Sequence, residues 1–229
     1  LTQMQFYLAE RNTSVDYSQM SLSSTGSGFY IGSAGHVVSN YHVVDGCDFI
    51  TDRENNLLKI LEADKENDLI IGKLDSKLTY RGLKISDDDP SLGENVFVAG
   101  FPLNDFVGGL NFTSGIVSAE IGLNQNGMQF QMTAPIQPGN SGGPILSEKG
   151  SVLGISVSSF NTSAEATELL GSVPQNMNYG IKKTVLTNLL DRADIDFDEG
   201  DDLWLSSKTK VAKIAKDGTI LLKCWAKTE

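Results

Sequence analysis

Histidine, cysteine and positive charge are what this sequence has least of, and each shortage closes off some chemistry. The two cysteines, Cys47 and Cys224, lie too far apart for a Cys-x-x-Cys metal or redox motif, so the chain is not a disulfide scaffold and one bridge at most is open to it. Lys and Arg number 18 against 29 Asp and Glu, a formal net charge of −11. Nucleic acids and anionic membranes are both recognised by clustered cations, so neither is an expected partner. No apolar run approaches the roughly 18 residues of a bilayer span, which argues against membrane insertion. The sequence opens on Leu1 without a recognisable leader. What is there is ordinary globular material: 229 residues, 40% hydrophobic and 21% charged, enough for one large or two small cores.

Apolar runs of about four to eight residues recur from GFYIG and HVVSNY through VFVAG, MQFQM and VLGISVSSF, bounded by Gly, Asn, Asp and Pro. Strands at that spacing, without alternating helices, predict an all-β chain built as barrels or a sandwich and argue against a doubly wound sheet. The long helical stretch is IKKTVLTNLLDRA, residues 181 to 193, with Val185, Leu186, Leu189 and Leu190 at helical spacing. The acidic run DIDFDEGDD reads as a linker or exposed loop. Beyond it, KTKVAKIAKDGTILLKCWA reads as a short amphipathic helix, an Asp-Gly turn and one strand. Ile220, Leu222 and Cys224 share one face of that strand, which must pair with something because a lone strand is not stable.

The stretch QPGNSGGPIL, residues 137 to 146, surrounds Ser141 with Gly139, Gly142 and Gly143. A surface turn would account for it, since Pro-Gly-Asn and Gly-Gly-Pro are common loop punctuation. Glycine also lets backbone amides approach an oxygen where a Cβ has no room, as an oxyanion hole requires. Gly139 to Gly143 satisfies Gly-x-Ser-x-Gly, but the α/β-hydrolase elbow needs a helix directly after the serine and a histidine later in the chain. Here Pro144 follows two glycines, and both histidines, His36 and His42, precede Ser141. The subtilisin order leaves only Asp16, in a polar stretch; the order His, Asp, Ser remains. His42 stands where a strand gives way to a turn, whereas His36 follows Ala34-Gly35 in a hairpin and reads as solvent-facing. Asp68 directly precedes an apolar strand and is expected to be buried, as an acid that fixes an imidazole tautomer should be. Asp64 and Asp75 lie in more polar surroundings.

The fragments TGSGFYIGSAGHVVSNYHVV, ENDLIIGKLD, VFVAGFPL, TSGIVSAE, APIQPGNSGGPILSEKGSVLGIS and NMNYGIKKTVL, in that order and spacing, resemble the HtrA/Deg-type branch of trypsin-like serine peptidases over about residues 24 to 192. The resemblance implies two perpendicular six-stranded antiparallel β-barrels with the active site between them. The barrels would take about residues 1–88 and 89–182, a helix over 183–193 would close a domain of residues 1–198, and 199–229 would form a tail with a short helix and one strand. It carries His42, Asp68 and Ser141 over as general base, orienting acid and nucleophile. The oxyanion hole would be the backbone N–H groups of Gly139 and Ser141, aided by Asn140. Gly139 would need a conformation that a Cβ resists, and Gly142 and Gly143 would allow close packing behind the nucleophile. Such chemistry calls for no metal or cofactor. Secreted trypsins carry an aspartate just before the serine to bind a new N-terminal ammonium; Asn140 stands there, so that activation is not expected. The usual disulfides are lacking, and no PDZ-like module follows within this sequence, so regulation by one is not expected here.

By the same resemblance the primary specificity pocket is lined by Thr133 to Pro138 and Ile155 to Ser158, all uncharged. Pro135, Ile136, Ile155, Ser156 and Val157, with Tyr179 as a further wall, predict a small-to-medium apolar side chain before the cut. The function that follows is a serine endopeptidase acting on unfolded or exposed polypeptide through an acyl-enzyme. Its expected setting is extracytoplasmic, periplasmic or secreted, with the cytoplasm as the alternative. The rival reading is a catalytically latent protease fold serving as a binding or chaperone-like module. The C-terminal helix-then-strand pattern resembles the segment that precedes GSGF in this family, a place for which MQFYLAERN, residues 4–12, also competes. The strand is expected either to add to a barrel edge of its own chain or to pair with a second copy or a further domain.

Overall fold

The computed structural model describes residues 20–75, 81–102, 108–157, 177–200 and 207–227. One sheet contains β1 (Met20–Ile31), β2 (His36–Ser39), β3 (Phe49–Thr51), β4 (Leu58–Asp64), β5 (Leu69–Leu74) and β12 (Thr219–Lys227), in the order β3-β12-β1-β2-β5-β4. The strands β6 (Asn95–Gly100), β7 (Asn111–Ala119), β8 (Gln129–Met132), β9 (Pro144–Leu146), β10 (Val152–Val157) and β11 (Asn178–Lys182) close into a barrel, β10-β11-β8-β7-β6-β9. The all-β fold with two six-stranded units is therefore present, with one difference in closure. Strands β3 and β4 are not paired, and only the isolated bridge from Thr51 to Leu57, the residue before β4, links the two ends, so the first sheet is a curled half-barrel rather than a closed one.

Period-two alternation explains how these strands fill three interiors at once. Tyr30, Val37, Ile70 and Leu58 point into the half-barrel. Val96, Val98, Phe130, Ile145 and Leu153 fill the closed barrel. Their neighbours in sequence, Phe29, Ile31, Leu69, Ile71, Phe97, Leu146 and Val152, face the other way and meet in a shared core between the two sheets. Helix α1 (Tyr41–Val44) is a single turn after β2, placed where the sequence reading expected a turn. Helix α2 (Lys183–Arg192) buries Val185, Leu186, Leu189 and Leu190 in the shared core. Helix α3 (Lys208–Gly218) adds Val211 and Ala215 to it.

The C-terminal strand is not at an edge, contrary to the expectation of edge addition. Strand β12 pairs with β1 from Phe29–Thr219 to Met20–Lys227 on one side and with β3 from Thr51–Lys223 to Phe49–Trp225 on the other. Both of its faces are covered: Ile220 and Leu222 enter the half-barrel core, and Leu221 on the opposite face is buried as well. Cys224 of this strand forms a disulfide with Cys47, across a Cα separation of 5.3 Å, so the one bridge the sequence left open is made. Asp217-Gly218 forms the end of α3 rather than a separate turn between helix and strand. The acidic stretch is likewise no free linker over its described part. Asp198 O accepts from Ile85 N at 2.9 Å, Gly200 N donates back to Ile85 O at 2.9 Å, and Ile195 reaches the shared core. Residues 4–12 and 201–206 lie outside the described residues.

Candidate active site

The seam between the sheets gathers three short segments: the β2–α1 junction, the turn before β5 and the loop before β9. At the turn, Asp68 has φ +55°, the left-handed region that aspartate tolerates better than most residues. That geometry aims both ends of the residue at α1. Its carbonyl oxygen accepts from Asn40 Nδ2 at 2.9 Å and from Tyr41 N at 3.2 Å. Its carboxylate takes His42 twice, Oδ1 from the backbone N–H at 2.9 Å and Oδ2 from the ring Nδ1 at 2.7 Å. An ionised carboxylate only accepts, so in the neutral ring this contact calls for the proton on Nδ1, with the lone pair on Nε2. His42 and Asp68 are thus brought together as expected, but the acid is less buried than its position before an apolar strand implied. The side chains are 47% and 29% exposed among the described residues. His36, by contrast, opens β2 opposite Lys73; burial and that ammonium both hold its imidazole below the usual range.

Ser141 is 4% exposed and its loop is tied down on every side. Ser27 of β1 does much of this: its N–H donates to Ser141 O at 2.9 Å, its hydroxyl donates to Gly139 O at 2.6 Å and accepts from Phe101 N at 2.9 Å. Ser156 Oγ donates to Asn140 O at 2.6 Å, and Gly142 N donates to Ser156 O at 3.0 Å. Gly139 and Gly142 have φ of +97° and +83°, conformations that side chains resist. A Cβ on Gly142 would also collide with Ser27 O and Ser39 Oγ and lie 3.0 Å from Asn40 N. This absence of a side chain is what lets the serine loop press against the chain two residues before His42.

Asn140, expected to aid the oxyanion hole, is committed within its own loop. Its N–H donates to Gln137 O at 3.0 Å and its side chain is buried. Among the described residues the Gly139 N–H makes no backbone hydrogen bond. Of the residues expected to line the pocket, Ile155 is fully buried in the shared core and lines nothing, because its side chain points away from the cleft face of β10. Ser156 is fully buried and its hydroxyl is used on the serine loop. Ile136 packs on the closed-barrel core, Pro135 is exposed, and Val157 pairs with the buried Tyr179, whose phenol is raised by burial. Ser158 lies outside the described residues. No group of three or more His, Cys, Asp or Glu suited to a metal occurs among the described residues.

Neither Ser27 nor Asn40 is among the expected site residues, although both lie in the fragments quoted for the resemblance. Ser27 sits between two glycines and Asn40 inside an apolar run, and the partner that gives each its role, Gly139 for one and Asp68 for the other, is 112 or 28 residues away.

A family model described as "Trypsin-like peptidase domain" matches residues 26–155. Among curated proteins, the chain is 38% identical over 166 residues to the uncharacterized protein y4bJ of Sinorhizobium fredii, covering 70% of this chain and 26% of that protein. It is 32% identical over 173 residues to a probable periplasmic serine endoprotease, DegP-like, of Rhizobium meliloti, covering 72% and 33%. Among solved structures, the HtrA-type protease AlgW with decapeptide superimposes with a TM-score of 0.59 at 24% identity, over 74% of this chain and 51% of that one, a likeness of fold. The chain thus spans between about a quarter and half of the length of these relatives.

Proposed function

The chain belongs to the trypsin-like peptidase family, in its HtrA/Deg branch, and from that premise we propose that it is a serine endopeptidase whose catalytic residues are His42, Asp68 and Ser141. The observation that carries this reading is the two-point hold of Asp68 on His42, through the backbone N–H and ring Nδ1, beside a serine loop with two left-handed glycines. In the proposed reaction Ser141 Oγ attacks the peptide carbonyl while His42 Nε2 takes its proton; Asp68 keeps the ring in the required tautomer and offsets the imidazolium charge. The N–H groups of Gly139 and Ser141 receive the developing oxyanion. His42 then returns the proton to the leaving amine, and a water, deprotonated by the same ring, releases the acyl group from Ser141.

The substrate is polypeptide, unfolded or exposed, with an uncharged small-to-medium residue before the cut. Pro135, Ile136, Val157 and Tyr179 supply no charge to pair with an ionised side chain, and burying one unpaired is costly. An extracytoplasmic setting is favoured by the Cys47–Cys224 disulfide, a bond that persists in oxidising compartments. The name of the Rhizobium relative points the same way, and no helix among the described residues is long and apolar enough to cross a membrane. Both edges of β12 are occupied within the chain, so a second copy or a further domain would dock elsewhere.

A fluorophosphonate probe should label the wild-type protein at Ser141. Ser141→Ala should abolish labelling and cut peptide turnover by on the order of a million-fold. Labelling that survives the substitution would remove Ser141 from the mechanism.

A further inference from the structure

We propose that Asn40 is a positioning residue for the acid–base pair: its amide holds the Asp68 carbonyl and so keeps Asp68 in the left-handed conformation from which its carboxylate reaches His42. This inference rests on the assignment of His42 and Asp68 as base and acid.

Asn40 occupies the N-cap of α1, a position where asparagine ordinarily accepts a hydrogen bond from the N–H two or three residues on. It makes no such bond. The N–H two residues on is that of His42, and Asp68 Oδ1 caps it at 2.9 Å instead. The two side chains have exchanged duties: the aspartate caps the asparagine's helix, and the asparagine donates through Nδ2 to the aspartate's carbonyl at 2.9 Å.

The exchange leaves Asn40 with a deficit. The residue is fully buried and its Oδ1 has no hydrogen-bond partner among the described residues, a condition that is destabilising by itself. Rotating the amide by half a turn would not help, because it would set Oδ1 against the Asp68 carbonyl oxygen and lose the one bond the side chain makes. An asparagine retained only for helix capping would face its own helix. The orientation found serves the Asp68 backbone, which carries left-handed strain that surrounding contacts must offset. With Nδ2 removed, Tyr41 N at 3.2 Å is the remaining donor given to that carbonyl among the described residues. The Asp68 backbone can then relax, and its Oδ2 loses its fixed place at His42 Nδ1.

The test is Asn40→Leu, close in size but without donor or acceptor, with Asn40→Ala as a second variant. Turnover is normalised to sites titrated with the fluorophosphonate, so that poorly folded protein does not count. Abolishing the orienting role of the acid altogether costs about 10⁴-fold; loosening it should lower kcat by roughly 10- to 100-fold with KM within about twofold. A second readout needs no activity. The chain has only two histidines, so ¹⁵N-histidine labelling resolves the His42 Nδ1 proton, whose downfield resonance should move upfield or broaden in both variants while His36 stays in place. Full kcat per titrated site, or an unmoved His42 resonance, would overturn the role of Asn40. A wild-type protein that neither labels nor turns over would overturn the peptidase reading, and the resonance would still decide on Asn40.

Discussion

Asp64 and Asp68 stand at the two ends of one turn and do different things. The more buried of the two is Asp64, with an 11% exposed side chain, although its polar neighbours in sequence suggested the opposite. Those neighbours are its ligands. Asn67 donates to it from backbone and side chain, both at 3.0 Å, and Arg192 of α2 reaches it at 2.9 Å. Burial by itself would raise the Asp64 carboxyl, but the bonds from Asn67 and Arg192, with the Arg192 charge, outweigh it and hold the group below its usual value. A carboxyl depressed in the folded state stabilises the protein above its unfolded pKa, about 3.9, and loses that contribution as pH falls through the lower folded value. Asp64→Asn should therefore be less stable than wild type at neutral pH, and the two urea midpoints should converge as pH drops from about 5 toward 2. A stability difference that stays constant over that range would mean that Asp64 ionisation does not support the turn.

Strand β12 and helix α3 come last in the chain yet lie in the middle of its architecture. Leu222 of β12 packs in the same core as Val43 of α1, and the disulfide joins Cys224 to Cys47, just beyond that helix. The short helix that carries the histidine thus stands on a floor supplied from the far end of the chain, and the bridge that fastens it spans 177 residues. Closing so long a loop restricts the unfolded chain strongly, and on that account the bridge contributes on the order of 2 to 5 kcal/mol. Cys47→Ser/Cys224→Ser, or a reducing agent, should lower Tm while leaving a folded protein. Deleting residues 219–227 should do more, because it strips pairing from both β1 and β3 and opens the half-barrel. If the truncated chain kept the wild-type Tm, the interior position of β12 would be wrong.

At the scale of the molecule, two sheets share one core, and the candidate site lies along their seam. Ser27 from the half-barrel holds the serine loop of the closed barrel, and Arg192, from the helix that follows the barrel, holds the turn that presents Asp68. Substrate would lie against both units, with the side chain before the cut meeting the uncharged wall of Pro135, Ile136 and Val157. A peptide library should be cut after Val, Ala, Ile or Leu and poorly after Lys, Arg, Asp or Glu, because the charge would lose its hydration without gaining a partner. A dominant preference for a charged residue would refute that wall.

The sequence alone determined what is local. Alternation marked the strands, helical spacing marked α2, and short motifs, with the family resemblance they carry, pointed to His42, Asp68 and Ser141 as the proposed triad, because each stands in a motif only a few residues long. Tertiary structure decided what depends on partners far along the chain: the interior place of β12, the Cys47–Cys224 bond, the loss of Ile155 to the core, the use of the Asn140 N–H within its own turn and the turning of Asn40 toward Asp68. Strand pairing, burial and hydrogen-bond choice are settled by what the folded chain brings within about 3 to 5 Å. Residues 28 to 177 positions apart acquire that nearness only when both sheets have closed on their shared core.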